Sequence, residues 1–433
     1  MVKVYTIKRQ ETEELLGQFL DERHYDVLID HDCDIYRQPD ITEPQHNGEH
    51  NIIAKFRKNY FTHEEQLGAY EGLRDAAQPT QNRGLAAGPK VGKLGSRDWA
   101  TTEQLDVINY LRKIVSKPTK SEIETIRARA GAKADTRGQV WLASEKQKHK
   151  FDFERWLKNV VKKEPEEIRK DADWVLNTFI SETTYANEVD SGIAGWFDRY
   201  PRIPYGRPTA YTFYNLEKFK KAYPFLESLS KSFSTLLPLR YTIQKLHIDK
   251  LDPSFYVPNS VFTTITVNKN FRTAAHRDAG DLHTGFSNLT VIAKDIDYAG
   301  GYLVCPEYCA AINIRPGDLL LINNHEAIHG NTPIIRKDGA SDMERISVVC
   351  YFREKMAELG CRAYEDLRFD FVEMRRKNKE HKLWRPRWNG IDSGCWESNE
   401  WYDYIRSRGR EDLLAKYHPE AVTKTSSLEE FLA

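Results

Sequence analysis

Between residues 255 and 355 turn residues cut the chain into short apolar runs, and this is the feature that most narrows its fold. The runs cover 262–267, 287–296, 302–305, 311–314, 318–323 and 345–352. Gly300-Gly301 and Arg315-Pro316-Gly317-Asp318 separate them with residues suited to tight turns. Short antiparallel strands of this kind predict a jelly-roll, or double-stranded β-helix. The chain as a whole reads as α+β, the jelly-roll core being wrapped by N- and C-terminal helical extensions.

Inside that block stand His276-Arg277-Asp278, His329 and Arg345. On a strand, residues i and i+2 face the same way, so the imidazole of His276 and the carboxylate of Asp278 converge on one spot. A second imidazole completes two-His-one-carboxylate ligation. That donor set suits Fe(II) and leaves coordination positions open for a cosubstrate and O2. The second His is His329 or His325. Gly330 follows His329 and permits close backbone approach, which favours His329. Asp281 lies past a Gly and out of strand phase with Asp278, so it is expected in the loop or the pocket rather than on the metal.

Arg345 and Ser347 alternate with Ile346, Val348 and Cys350, so the two polar side chains share a face. The planar guanidinium of Arg345 matches a dicarboxylate such as 2-oxoglutarate. Asn268 and Arg272 are further candidates for the cosubstrate. Asn270, Asp281, Phe286 and His325 are candidates for a substrate pocket.

Composition bounds the rest. The 433 residues carry 64 basic and 64 acidic side chains, so net charge does not announce a polyanionic partner. The balance is uneven, however. Residues 112–170 hold 17 Lys/Arg against nine Asp/Glu, and Arg375, Arg376 and Lys377 begin a second basic run interleaved with Trp384 and Trp388. Lys146, Lys148, Lys150, Arg375 and Arg376 are therefore candidate phosphate contacts. The six cysteines are scattered, with a lone C-x3-C at Cys305 and Cys309, and read as free thiols rather than a zinc site. No stretch approaches the ~18 apolar residues of a membrane helix, and an intracellular monomer is expected. That setting is cytoplasm or nucleus, or host cytoplasm if the chain is phage-encoded.

Three regions are expected. Residues 1–190 begin with strand-like pieces at 2–7 and 25–29, pass through a loop at 61–100 and become helical and basic. Residues 191–355 form the oxygenase core, preceded by a helix at 215–239 within it. Residues 356–433 form a helical, Trp-rich extension.

Particular runs also resemble a known family. They are Phe262-Thr-Thr-Ile-Thr-Val-Asn-Lys-Asn-Phe-Arg-Thr-Ala-Ala-His276-Arg-Asp278-Ala-Gly-Asp281, Gly300-Gly-Tyr-Leu-Val-Cys-Pro306, Arg315-Pro-Gly-Asp318 and His329-Gly-Asn-Thr-Pro333. These are similar to the TET/JBP group of 2-oxoglutarate/Fe(II) dioxygenases, which hydroxylate 5-methylpyrimidines in DNA. The likeness is to compact base-J-binding-protein-like and phage-type members and runs from Gly195 to Phe352. It implies His276, Asp278 and His329 as Fe(II) ligands, Arg345 as the oxoglutarate anchor, and double-stranded DNA carrying thymine or 5-methylcytosine as substrate. A base in a duplex must be flipped out to reach such a site. Phe286, Tyr302 or Phe271 would stack on it. The Cys-rich zinc region of animal TET enzymes has no counterpart here, so the flanking regions rest on composition alone. A small-molecule or protein hydroxylase on the same scaffold is the alternative. A DNA-binding protein with an inactive oxygenase fold is a third reading, which the complete ligand set argues against.

Overall fold

The computed structural model describes residues 2–38, 49–89, 187–199, 203–293, 296–340, 343–378, 380–385, 390–391 and 393–422. Most of the expected basic helical region, with Lys146, Lys148 and Lys150, lies outside the described residues. The chain divides into two units, one of Met1–Leu16, Leu20–Pro79 and Asp190–Ala433, the other of Gly17–Phe19 and Thr80–Val189. In the second unit a short 3-10 turn, Gly84–Ala87, precedes Ala87 and Pro89 carbonyls that accept from the Asn187 amide, both at 2.9 Å.

Numbered along the chain, the strands are β1 (Lys3–Ile7), β2 (Val27–Ile29), β3 (Cys33–Arg37), β4 (Ile52–Arg57), β5 (Gln78–Thr80), β6 (Val189–Arg199), β7 (Ile203–Pro208) and β8 (Thr264–Lys269). They continue as β9 (Ser287–Ile292), β10 (Tyr298–Gly300), β11 (Leu303–Cys305), β12 (Ala310–Ile312), β13 (Leu319–Ile322), β14 (Gly330–Asn331), β15 (Ile334–Arg336) and β16 (Ile346–Tyr351). The larger sheet runs β1-β3-β4-β13-β9-β16-β8-β6 across its breadth, and the smaller sheet runs β14-β11-β12-β2. Two sheets of interleaved strands are the jelly-roll the sequence predicts.

Alternation decides which residue goes where. Ile346, Val348 and Cys350 of β16, with Ile265 and Val267 of β8, pack into one apolar cluster with Phe225, Leu226, Leu229 and Phe233 of a helix. Val349 and Tyr351 of β16 join a second cluster, which includes Leu303, Cys305, Ala310 and Ile312 of the smaller sheet. One face of β16 therefore meets helices and the other looks into the jelly-roll. Each fully buried large apolar side chain in these layers contributes about 1.5–3 kcal/mol.

Four findings depart from expectation. First, the N-terminal strands are part of the core: β1, β3 and β4 extend the larger sheet and β2 the smaller one. Without them β13 and β12 would end the two sheets as bare edges, which proteins avoid. The boundary expected at 190 thus does not separate this N-terminal stretch from the jelly-roll. Second, the expected loop at 61–100 holds helix α1 (His63–Leu73). Thr62 Oγ1 accepts from the Glu65 backbone N–H at 3.2 Å, and Glu65 Oε2 accepts from the Thr62 N–H at 2.7 Å, a complete capping box. Its glycines let another segment close in, since a Cβ on Gly68 would lie 2.5 Å from the Lys221 carbonyl oxygen.

Third, the single helix expected at 215–239 is broken. After α2 (Ala210–Tyr214), the chain forms α3 (Leu216–Lys220), α4 (Tyr223–Leu236) and α5 (Pro238–Ile248). Pro224 and Pro238 sit in the first turn of α4 and α5, where a missing N–H costs nothing, and each ends the helix before it. Fourth, the C-terminal helices α6 (Arg362–Lys377), α7 (Asn399–Ser407) and α8 (Glu411–Tyr417) own a core. Trp396 and Trp401 pack there with Tyr205, Tyr364, Phe371 and Ile405. All six cysteines are free thiols. No helix among the described residues is long and apolar enough to cross a membrane.

Candidate active site

His276 and Asp278 do not lie on a regular strand. The segment is irregular and makes a single bridge, His276 to His329, closed by two backbone hydrogen bonds of 2.9 and 3.0 Å. The i, i+2 relation nevertheless holds, because the Asp278 N–H is tied to the Asn324 carbonyl at 3.0 Å and keeps the segment extended. Gly330 makes the close approach possible: a Cβ there would meet the Ala274 and Ala275 backbone at 3.0 Å.

The three ligand atoms of His276, Asp278 and His329 lie within 4.8 Å of one another. His276 Nε2 is 3.4 Å from Asp278 Oδ1, and His329 Nε2 is 3.8 Å from Asp278 Oδ2. Each ring is fixed from behind. His276 Nδ1 lies 2.8 Å from the Ala274 carbonyl and His329 Nδ1 lies 3.0 Å from the Ala327 carbonyl. A carbonyl can only accept, so each Nδ1 carries a proton, and Nε2 is the nitrogen each ring turns toward the carboxylate and would offer to a metal. Asn324 Nδ2 donates to Asp278 Oδ2 at 3.1 Å.

The electrostatics agree with a metal-binding group. Burial would raise the Asp278 carboxyl, but the hydrogen bond and charge of His276 pull it down to about 2. Burial would lower His276, yet Asp278 outweighs it and holds the imidazole above its ordinary value of 6.5. Burial and the neighbouring His276 charge push His329 down to about 4. A cation must displace the His276 proton. Affinity for a divalent metal is therefore expected to climb with pH through the neutral range, about tenfold per unit while one proton is released. Titration against a chromophoric chelator on either side of neutral pH checks this, and a flat profile would show that no proton is displaced.

Arg345 enters β16 from a loop held by Asn270. The Asn270 carbonyl oxygen accepts from the Arg345 N–H and its amide donates to the Met343 carbonyl, both at 2.7 Å. Asn270 thus braces the backbone instead of lining the cleft. Arg345 is 2 % exposed. Its Nη2 donates to the Gly301 carbonyl at 3.2 Å, while Nε has no hydrogen-bond partner among the described residues. No carboxylate among the described residues bears on its charge, and burial lowers the guanidinium pKa from its usual value. A buried, uncompensated guanidinium is costly unless an anion joins it. Ser347 lies two residues on, on the inner face, opposite Asn268 of β8. Asn268 accepts from the Ser191 hydroxyl. Arg272 is engaged elsewhere, donating to the Leu20 carbonyl at 2.7 Å.

Asp281, Phe286 and His325 come together around one narrow cleft with Asn324 and Tyr351, closed too tightly in this structure to hold a water molecule. Asp281 accepts from the Ser287 hydroxyl, and burial together with the Asp278 charge holds its carboxyl well above the ordinary range. His325 Nδ1 is buried without a partner among the described residues, and its ring meets His283 edge to face at 4.7 Å. Tyr351 was missed from sequence, although it continues the alternation of Arg345, Ser347 and Val349. Tyr302 and Phe271, candidates for stacking, do not line this cleft.

Arg375 is engaged within the C-terminal extension. It pairs with Glu400, which His381 also contacts at 2.8 Å, and it lies over the Phe371 ring at 4.9 Å. Arg376 pairs with Glu373 at 3.3 Å. Arg375→Ala is accordingly expected to lower the stability of this extension, by on the order of 1 kcal/mol, more than it alters DNA affinity. Melting curves and DNA titrations on the same variant compare the two, and a large affinity loss at unchanged stability would restore the phosphate-contact reading.

Residues 207–354 match the Tet_JBP family, described as the oxygenase domain of the 2OGFeDO superfamily. The chain is 31% identical over 175 residues to thymine dioxygenase JBP1 of Trypanosoma brucei brucei, covering 40% of this chain and 20% of that protein. It is 35% identical over 175 residues to the bifunctional helicase and thymine dioxygenase JBP2 of Leishmania infantum, covering 40% of this chain and 15% of that one. The chain therefore spans about a fifth or less of the length of these relatives. Among solved structures, NgTET1 in complex with 5mC DNA is similar at a TM-score of 0.33 and 17% identity, over 46% of this chain and 70% of that one.

Proposed function

We propose, from the premise that residues 207–354 are an oxygenase domain of the TET/JBP family, that the protein is an Fe(II)- and 2-oxoglutarate-dependent dioxygenase. Its substrate is the 5-methyl group of a pyrimidine in double-stranded DNA. The observation that carries the reading is the convergence of His276, Asp278 and His329 within 4.8 Å inside a jelly-roll. The donor set fits the metal the superfamily implies, since two imidazole Nε2 atoms and one carboxylate within 4.8 Å suit Fe(II). When bound, Fe(II) supplies the activation of O2 that oxidative hydroxylation of an unreactive methyl group requires.

The chain's own residues hold and shape. His276, Asp278 and His329 would hold the metal through Nε2, a carboxylate oxygen and Nε2. Arg345 receives the far carboxylate of 2-oxoglutarate, with Ser347 beside it, and so neutralises a charge that burial would otherwise penalise. Tyr351 is the aromatic side chain beside which an extruded base would lie once the cleft opens, with Asp281 and His325 offering polar atoms to its edge, while Phe286 belongs to the buried core behind them. A base in a duplex reaches the cleft only by flipping. The JBP relatives are named thymine dioxygenases, which favours thymine over 5-methylcytosine, and the setting is then the compartment that holds that DNA.

The test is incubation with Fe(II), 2-oxoglutarate and duplex oligonucleotides carrying thymine alone or added 5-methylcytosine, followed by nucleoside mass spectrometry and succinate measurement. A hydroxymethylated pyrimidine formed with succinate is expected. Succinate without any modified base would move the substrate to a small molecule or protein. Formation of neither product would sink the reading.

A further inference from the structure

Behind the ligand triad lies a charged cluster that the metal site does not use. Arg277 stands between the first two ligands, and alternation sends its side chain away from them. It crosses to the loop that carries the third. Arg277 Nε donates to the Glu326 carbonyl at 2.8 Å, and Nη2 lies 3.0 Å from Glu307 Oε1. Glu307, 2 % exposed, projects from the turn between β11 and β12. Its other oxygen, Oε2, accepts from the backbone N–H of Ile328 at 2.6 Å. Ile328 immediately precedes His329. Arg9 closes the far side, 2.5 Å from Glu307 Oε1, and Glu13 pairs with Arg277 at 2.5 Å.

One buried carboxylate thus ties the segment bearing His276 and Asp278 to the segment bearing His329. The two segments also meet through the backbone bridge, through Arg277 Nε to the Glu326 carbonyl, through the Thr273 and Asn331 hydrogen bonds at 2.6 and 2.8 Å and through the Asn324 contacts with Asp278, but Glu307 is the carboxylate that engages both at once. A buried ion pair is a poor way to add stability, because desolvation offsets most of its attraction. It is a good way to fix geometry, because both guanidinium and carboxylate are directional.

We infer that Glu307 and Arg277 form a clasp that sets the separation and orientation of the three metal ligands, acting as positioning residues. The inference rests on the ligand assignment above. Loosening the clasp lets His329 move relative to Asp278, so the ligands must be reassembled at each binding event. Outer partners of metal ligands influence affinity by roughly 10–100-fold when removed, and the same range is expected here.

The experiment uses Co(II) as a spectroscopic stand-in with the full-length protein purified free of metal. Affinity and the visible absorption spectrum are measured for Glu307→Gln, Arg277→Met, the double variant and His276→Ala. Glu307→Gln keeps the shape and the acceptor for Ile328 but removes the charge. The expected result is affinity weakened at least tenfold in each single variant, with an altered spectrum. The double variant should be little worse than either single, as partners in one interaction behave. Folded single variants with wild-type affinity and spectrum would overturn the clasp, as would additive losses. A drop in melting temperature alone, with metal binding unchanged, would also overturn it, since that is what a purely structural pair does. Should Arg277→Met fail to fold, Arg277→Lys is measured instead, because it keeps the charge but loses the fork. His276→Ala separates the two levels: retained Co(II) binding there would refute the ligand assignment itself, whatever the clasp variants do.

Discussion

His276→Ala and Asp278→Ala are each expected to abolish turnover and to weaken divalent-metal binding by more than the roughly 10–100-fold that loss of a ligand's outer partner costs, while leaving the protein folded. The reason lies in where the ligands sit. Neither side chain belongs to the apolar clusters that hold the sheets together. The Asp278 side chain is 31% exposed, so its loss opens no sealed core. Removing Asp278 also frees His276 from the partner that holds its proton, and removing His276 leaves Asp278 the Asn324 amide at 3.1 Å. Both consequences are local. Melting in the presence of a chelator, beside metal titration and succinate release, separates folding from function. Full succinate production by His276→Ala would mean the metal is held elsewhere. His329→Ala should match these variants and His325→Ala should be milder, because His325 lines the cleft with its Nδ1 unengaged. The reverse order would transfer the ligand role to His325.

The strands of the core were legible because apolar period and turn chemistry agree there. The run expected at 318–323 is Leu319–Ile322, and that at 345–352 is Ile346–Tyr351. The candidate ligands were legible because an i, i+2 spacing is a local property. It survived even though the HxD segment is not a strand, since one backbone bridge to His329 and the Asn324 carbonyl keep it extended. Local signals also existed for α1, where Thr62 and Glu65 spell a capping box, but the glycines at 68 and 72 masked the helix. What sequence did not carry is long-range partnership. That β1, β3 and β4 complete the larger sheet depends on pairing across more than two hundred residues, as between Lys55 and Leu321. Glu307 binds Arg277 from 30 positions away and the Ile328 N–H from 21, and no pattern in the chain marks it. The basic run at Arg375 shows the complement. Charge density is visible in a sequence, but the Glu400 that engages it is not.

Arg345→Lys is expected to raise the 2-oxoglutarate concentration needed for half-maximal turnover by one to two orders of magnitude, with a smaller change in the maximal rate. The loss of a charge-assisted pair costs about 1.5–3 kcal/mol, and about 1.4 kcal/mol is a factor of ten. A lysine keeps the charge but offers a point in place of a planar fork. The pocket is shaped for the fork. Arg345 lies over the Tyr298 ring at 5.9 Å, and Gly301, at φ +67°, leaves room for it; a Cβ there would come 3.2 Å from Nε. Its backbone is pinned by Asn270 at 2.7 Å, so the side chain cannot shift along β16 to compensate. The guanidinium is buried without an anionic partner among the described residues, so the apoprotein bears a cost that a dicarboxylate relieves. The measurement is succinate release against 2-oxoglutarate concentration at saturating metal. Binding of 2-oxoglutarate to the metal-loaded variant without oxygen checks that the change lies in affinity. An unchanged requirement would remove Arg345 from this role. Arg272, bound to the Leu20 carbonyl, would be poorly placed to replace it. Arg315 would come next, because it lies over the same Tyr298 ring at 4.8 Å and is anchored to the Gly300 carbonyl at 3.0 Å.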